Sequence, residues 1–381
     1  MKPVVHVVRS REALEAIVPE WEDLAAHACE TNPFYESWIL LPALRAQGDD
    51  NFHCVCVWEG ERLIGLLPFE RRSSFKGLPA ATLTSWRHSA YLLCPPLVRA
   101  GAEAECLAAF FAWLPTEASI AEFRYIPVDG AFHAALADAT RASPCTVAPT
   151  GEFSRALLVK GADAESYMQE SMSGQLRRQL RRKEKRLAER AGYATTAIGP
   201  GGDIGGEIER FLLLEVSGWK GKAGGAFASS ESNSRFGRAV LAEAHRRGRL
   251  HIVGIDCERR PVARRVTLLA GEGAYAFKTA YDESFADYSP GVLAELVCLR
   301  EFHSPHHYLR GARWMDSYTE PGNPTVNRMW KDRRTMRSLA VGVGAWGELW
   351  VSMLPLLRWF KDRAQTAARR RRAASPTAAA H

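Results

Sequence analysis

Tyr288, Ser289, Pro290 and Gly291 stand where one chemical pattern of the chain gives way to another. Before them, Tyr275, Phe277, Thr279 and Tyr281 alternate with Ala276, Lys278 and Ala280, the spacing of a half-buried strand. After them, Val292, Leu293, Leu296, Val297 and Arg300 recur at helical spacing. Ser289 suits the N-cap, where its hydroxyl accepts a backbone N–H, and Pro290 suits the first helical position. The helix therefore points its N-terminus back toward the strand end. Unpaired N–H groups and the positive end of the helix dipole meet there, and Gly291 lets a ligand approach the backbone, so the place suits a phosphate or pyrophosphate. The same residues also make an ordinary strand-to-helix turn, and what surrounds them has to decide.

The elements around this turn recur. In the first half a helical pattern over 10–29 and 34–44 precedes two apolar runs, 52–70, folded about Glu59, Gly60 and Glu61. A strand over 80–97 with a Pro-Pro loop, a helix over 102–114, a strand over 118–127 and a short helix over 131–140 follow. The second half repeats the programme. It has a strand over 152–160, a long basic helix over 163–192, a strand over 193–198, helices over 206–219 and 232–248, a hairpin over 249–271, and then the strand and helix described above. A strand over 314–318, a helix over 325–333 and a strand over 336–343 close it. The repeated order predicts an α+β fold of two duplicated halves, 1–150 and 151–343, with mostly antiparallel sheets flanked by helices. An amphipathic helix over 344–365 and a disordered basic tail over 366–381 are expected to follow.

At 381 residues the chain exceeds one comfortable core, which agrees with two units. No stretch reaches the roughly 20 uncharged apolar residues of a spanning helix, and the start of the chain lacks a signal-peptide core, so a cytoplasmic protein is expected. Its eight cysteines make no CxxC pair and read as reduced core residues, with no metal site. The net charge of +7 is concentrated. Arg177 to Arg190 and Arg358 to Arg372 each carry +6, which leaves the rest at −5. Such a chain is not a uniformly basic coat for nucleic acid.

Several residues together resemble a family. Asn32-Pro33-Phe34 with Trp38, the basic helix from Leu176, Glu215 with Gly218-Trp219-Lys220-Gly221, Gly248-Arg249-Leu250, and the run from Lys278 to Gly291 are similar to the CelD-like branch of the GNAT acyltransferases. That branch is related to the FemAB-type transferases, which also carry tandem GNAT halves. The resemblance runs from about Trp21 to Leu339. It implies a central strand splayed from its neighbour, an acyl-CoA thioester in the gap and its pyrophosphate on the following helix. The usual glycine-rich pyrophosphate loop is replaced here by Ala286 to Gly291, which leaves either acyl-CoA (acetyl-CoA, for example) or an aminoacyl-tRNA as donor.

Acyl transfer to an amine needs a base, donors for the oxyanion and an acid for the thiolate. On this resemblance Asp316 is the base and Tyr318 the acid, with Asp282 as a second base. Lys278, Tyr281, Tyr288, Ser289, Gly291 and Val292 hold the donor, Lys278 also serving the oxyanion, and Trp219 and Lys220 line the acceptor pocket. Plainer uses exist: Asp316 capping a turn and Tyr318 packing, Lys278 and Asp282 pairing across a strand, and a glycine-terminated helix at Gly221. The expected function is N-acyl transfer to a small-molecule or glycan amine, with envelope or exopolysaccharide metabolism as a setting. The alternatives are a charged-tRNA transferase or a non-catalytic assembly factor.

Four further segments have other uses open to them. The basic helix is either a solvated face or a polyanion site for a coenzyme A 3′-phosphate, an anionic head group or tRNA. The run Gly199 to Gly206 lacks the third glycine of a dinucleotide fingerprint, and His303, His306 and His307 have no acidic partner in sequence. Trp346 to Phe360 is apolar and tryptophan-rich and then turns polybasic. It suits packing on the second half, or the surface of an anionic membrane, which would place the protein at the inner membrane face.

Overall fold

In the computed structural model the described residues are 2–356, without 49, 200, 201, 203, 223, 225 and 305–307, together with 359 and 363; at 219 and 220 only the backbone is described. Thirteen strands form one sheet: β1 (Val4–Val8), β2 (Phe52–Glu59), β3 (Arg62–Arg72), β4 (Thr82–Ser85), β5 (Leu97–Val98), β6 (Ile120–Pro127), β7 (Cys145–Val159), β8 (Ala194–Ile198), β9 (Leu250–Cys257), β10 (Arg260–Ala270), β11 (Gly273–Tyr281), β12 (Trp314–Asp316) and β13 (Asp332–Val343). The order across the sheet is β1-β2-β3-β4-β6-β13-β7-β12-β11-β10-β9-β8, with β5 beside β3. Counted outward from the β13–β7 seam, the two sides match step by step. The hairpin β2–β3 answers β9–β10, antiparallel β3–β4 answers β10–β11, and parallel β4–β6 answers parallel β11–β12. All other pairings are antiparallel, so the α+β architecture of two like halves with mostly antiparallel mixed sheets stands.

The halves are joined more closely than their order along the chain shows. The last strand, β13, completes the first half beside β6, and β7 completes the second half beside β12. The two exchanged strands pair with each other over twelve residue pairs, and residue 150 lies inside β7. One hydrophobic cluster mixes Trp21, Phe34, Phe52 and Trp86 with Phe211, Phe236, Leu250 and Phe277, so the halves share a core. Burial of side chains this large stabilises by about 1.5–3 kcal/mol each, which sets the halves firmly against one another.

Local structure departs from the sequence reading in several places: the helix expected over 10–29 is Arg11–Glu15 and Val18–Ala26, and the one expected over 344–365 is Gly344–Ser352. The N-terminal strand β1 pairs with β2 although its five residues show no clean alternation of burial. The strand expected over 152–160 starts at Cys145. The basic helix is two helices, Ala164–Ser171 and Gly174–Ala188, because the hydroxyl of Ser173 accepts the N–H of Leu176 and starts a new helix. Ser289 does not cap with its hydroxyl. It takes a left-handed conformation (φ 53°, ψ 57°) between the Glu283–Tyr288 turn and the Pro290–His303 helix, and its carbonyl accepts the N–H groups of Val292 and Leu293.

The feature that makes a site is the parting of β11 from β12. Their parallel pairing covers only Gly273, Ala274 and Tyr275 against Trp314, Met315 and Asp316, whereas β11 runs on to Tyr281. A bulge in β11, seen as a register shift against Val266 and Leu268 of β10, sits where the strands separate. β12 stops because Asp316 turns the chain away: its Oδ1 accepts the N–H of Tyr318 at 2.8 Å, and Tyr318 is left-handed (φ 50°). Asp316 is fully buried and is held by Arg155, with Nε 2.6 Å from Oδ1 and Nη2 donating to Oδ2 at 2.8 Å. Arg334 stands 3.6 Å away on the other side. Removing one partner of a buried ion pair strands the other charge. Asp316→Ala is therefore expected to lower unfolding free energy by roughly 3–5 kcal/mol, read from denaturant midpoints. A midpoint equal to that of the unaltered protein would show that the pair does not hold the fold.

Candidate active site

A cavity of about 760 Å³ opens where β11 and β12 part. Its floor is Ala276 to Thr279 and Tyr281 of β11. One wall is Ser289, Gly291, Val292 and Glu295 of the following helix, and another is Ser317 to Glu320 with Asn323 to Val326. The first half adds His88, Ser89 and Ala90, and the loop beyond the Trp219–Lys222 turn adds Gly224, Ala226 and Phe227. The expected gap is present, and it is open.

At the donor end, Gly291 leaves room that a side chain would take: a Cβ there would lie 3.0 Å from Cδ1 of Tyr281 and 3.8 Å from Cγ2 of Thr279. The fourteen-residue Pro290–His303 helix turns its N-terminus to this space. Positive charge flanks it. Lys183 of the Gly174–Ala188 helix donates to Ser289 Oγ at 2.5 Å, and the Arg186 guanidinium lies 5.3 Å over the ring of Tyr288. Arg178, Arg182, Lys185 and Arg186 on the same helix are exposed. The residues present thus fit a diphosphate with further phosphate at the rim.

In the middle of the cavity Lys278 projects from β11, mostly buried. Its ammonium is 2.8 Å from Glu215 Oε1 and 3.9 Å over the ring of Phe227. The other oxygen of Glu215 accepts the N–H of Phe227 at 2.8 Å, so one buried carboxylate fixes both the lysine and the loop that covers it. Tyr318 forms part of the wall. Its ring stacks on Phe34 at 4.5 Å, its oxygen accepts the N–H of Leu92 at 2.9 Å, and burial holds its pKa well above the usual phenol value. Arg155 donates from Nη1 to the carbonyl of the same Leu92, which ties the first half's loop to the second half's tyrosine.

Some expected site residues come together and others do not. Lys278, Tyr281, Ser289, Gly291, Val292 and Tyr318 line the cavity. Asp316 lies behind the wall, fully buried and off the cavity lining, with its oxygens held by Arg155 and the N–H of Tyr318. Asp282 sits past the end of β11. It binds Ser284 through N–H and hydroxyl at 2.9 and 2.7 Å and pairs with Arg260 at 3.2 Å, whereas Lys278 pairs with Glu215. Tyr288 stands beside the mouth under Arg186. The side chains of Trp219 and Lys220 lie outside the described residues, as do His306, His307, residues 200, 201 and 203 of the glycine run and the basic tail.

Sequence reasoning missed His88, Asn233, Glu295, Glu320 and Asn323, which line the cavity. Glu295 is paired with buried Arg265 at 2.7 Å. Burial pushes the His88 imidazole down to about 4, and Ala90 donates its N–H to Nδ1 at 3.2 Å, so His88 is a neutral group. Glu320 is exposed at the rim. No local spacing announces any of them, because they come from four separate segments. Among the described residues no cluster of histidine, cysteine or carboxylate side chains is arranged to hold a metal ion.

Comparison with known proteins follows this geometry. Residues 174–320 match the family model described as an acetyltransferase (GNAT) domain, the part of the chain that holds β11, β12 and the helix mouth. No curated protein matches by sequence. Solved structures similar in fold include FemX, with a TM-score of 0.53 and 10% identity over 84% of this chain and 95% of that one. The C-terminal domain (DUF2156) of a putative lysylphosphatidylglycerol synthetase from Agrobacterium fabrum gives 0.51 and 12% over 91% and 97%. A conserved protein of unknown function from Bacteroides thetaiotaomicron gives 0.50 and 12% over 86% and 97%. At such identities the likeness is one of fold. The chain thus has the GNAT fold, carries a GNAT acetyltransferase domain over 174–320, and is an acyltransferase.

Proposed function

We propose that the chain transfers an acyl group from acyl-CoA to an amine held between the two halves, in the manner of the CelD-like branch it resembles. The observation that carries this is the open edge of β11 beyond Tyr275, ending at the helix mouth beside Gly291. A pantetheine arm is an extended diamide, and the stretch of β11 beyond its pairing with β12 offers it a strand edge to lie along. Its diphosphate would lie on the Gly291–Val292 end of the helix, with Lys183, Arg182 and Arg186 at the rim for the remaining phosphate. On this reading the unit over 151–343 holds the donor and the unit over 1–150 supplies His88 to the acceptor side.

The reaction forms a C–N bond and breaks a C–S bond. The amine nitrogen attacks the thioester carbonyl, and the charge that develops on oxygen is met by the Lys278 ammonium and by N–H groups freed at the bulge of β11. The departing thiolate takes the proton of Tyr318, which burial keeps protonated and which regains it from solvent. The proton lost by the amine goes to Glu320. This replaces Asp316 and Asp282 in that role, since Glu320 alone of the three faces the cavity. The neutral imidazole of His88 and the amide of Asn233 orient the acceptor.

A second donor is favoured by one observation. The exposed arginines of the Gly174–Ala188 helix continue the positive surface outward from the mouth, as the end of a charged tRNA would require. Calorimetry separates the two. Acetyl-CoA should bind at or below the order of 1 mM, and Gly291→Val should weaken it about tenfold, close to 1.4 kcal/mol. Silence with acetyl-CoA, together with retention on charged tRNA that Arg178→Gln and Arg182→Gln abolish, would transfer the assignment to the second donor. For the base, Glu320→Gln should lower kcat/KM by roughly 10²–10⁴ without changing donor affinity; undiminished turnover would remove Glu320 from the mechanism.

A further inference from the structure

The Gly344–Ser352 helix packs across the β13–β7 seam with one apolar stripe inward. Gly347 and Val351 are buried, and Val351 and Leu354 join a small core with Phe75, Ile120 and Ala340. The contact is close: a Cβ on Gly347 would fall 2.0 Å from the carbonyl oxygen of Ser119. The helix is thus already docked, yet it carries a second apolar stripe that faces solvent. Trp346 is 68% exposed, Leu349 45%, Leu356 50% and Trp359 47%. Trp346 and Leu349 stand three residues apart on the helix itself, and Leu356 and Trp359 follow beyond its end at Ser352. Four of the ten large apolar side chains exposed among the described residues fall within these fourteen positions, too dense a cluster to be scatter.

The charge beside this stripe says what covers it. Arg358 to Arg372 carries seven basic residues against Asp362, and the Arg363 guanidinium lies 4.2 Å over the ring of Trp359. Indole rings at head-group level with arginines reaching phosphates is the arrangement that an anionic bilayer surface selects. A second copy of the chain would bring two runs of +6 together, which costs energy instead of releasing it. Among the described residues no helix is long and apolar enough to cross a membrane. We propose that the outward stripe of the C-terminal helix, with the basic run after it, seats the protein on the surface of an anionic lipid bilayer. The surface lies apart from the donor cavity, so the inference stands independently of the acyl-transfer reading.

Flotation of the full chain with phosphatidylglycerol–phosphatidylcholine vesicles, against phosphatidylcholine alone, tests it. Partition onto the anionic vesicles should exceed that onto neutral ones by about tenfold or more and collapse in about 0.5 M salt. The double variant Trp346→Ala, Leu349→Ala should lose about tenfold of it. Both side chains are exposed, and an unchanged unfolding midpoint will certify that the variant is folded. Equal partition onto both vesicles, or a double variant that binds as well as the unaltered chain, overturns the proposal. So does a dimer in sedimentation that the double variant dissolves, with no vesicle binding in either form.

Discussion

The separation of β11 from β12 depends on a carboxylate that lies outside the cavity. Asp316 accepts a backbone N–H from its own chain two residues on, and this bends the strand out of the sheet after only three paired residues. A buried carboxylate is tolerable only with its charge matched, and Arg155 matches it from β7, a strand that follows directly on the first half. The same guanidinium grips the carbonyl of Leu92, whose N–H in turn is bonded to Tyr318. Gap, acid candidate and inter-half contact are consequences of one ion pair. The left-handed backbone at Tyr318 persists because these bonds over-determine it.

The two halves share a plan, and the first shows what happens when the gap is not kept. Its own parallel pair, β4 and β6, is crossed by Ser85, whose hydroxyl donates to the carbonyl of Glu122 and accepts the N–H of Arg124. Farther along, Cys94 donates its N–H to the carbonyl of Tyr125, another left-handed tyrosine, over which Arg87 lies as Arg155 lies over Tyr318. The edge that β11 leaves open is here satisfied by the chain itself. The first half has instead become a wall. Asn32 fixes the Pro95 loop through its amide, and Phe34 beside it stacks on Tyr318. Asn32, Phe34, Trp38 and Arg249, all part of the motifs that carried the family resemblance, hold the halves together, Glu36 bonding both Trp38 and Arg249.

What the sequence disclosed follows from what is local. Hairpins with short turns, the strand before Tyr281 and the proline-led helix after Ser289 each bear their cause within a few residues, and all three are in place. Ser289, Gly291 and Val292 could be placed at the cavity for that reason. Asp316 was misjudged because its partner Arg155 is 161 residues away and nothing near Asp316 records it. The exchange of β7 and β13 escaped notice for the same reason: a strand's pattern tells its faces but not its neighbour. His88 and Glu320 owe their place at the cavity to the meeting of two halves, a property of the packed molecule and of no segment in it.

The arginines divide by depth, and the division decides which of them can act on a ligand. Arg264 is spent on Glu207 and Asp256, and Arg265 on Glu295, at 2.6 to 2.8 Å. With Arg155 on Asp316, these buried cations have their field cancelled within a few ångströms and cannot attract a ligand from solution. On the Gly174–Ala188 helix Arg181 pairs with Glu165 at 2.9 Å, whereas for exposed Arg178, Arg182 and Arg186 salt rather than burial sets the reach, roughly 8 Å at physiological ionic strength. That distance is enough to bridge the mouth at Ser289, to which Lys183 is already hydrogen-bonded. Electrostatic guidance to the cavity therefore rests on one helix, and the break at Ser173 that frees it from the preceding helix also aims it across the mouth.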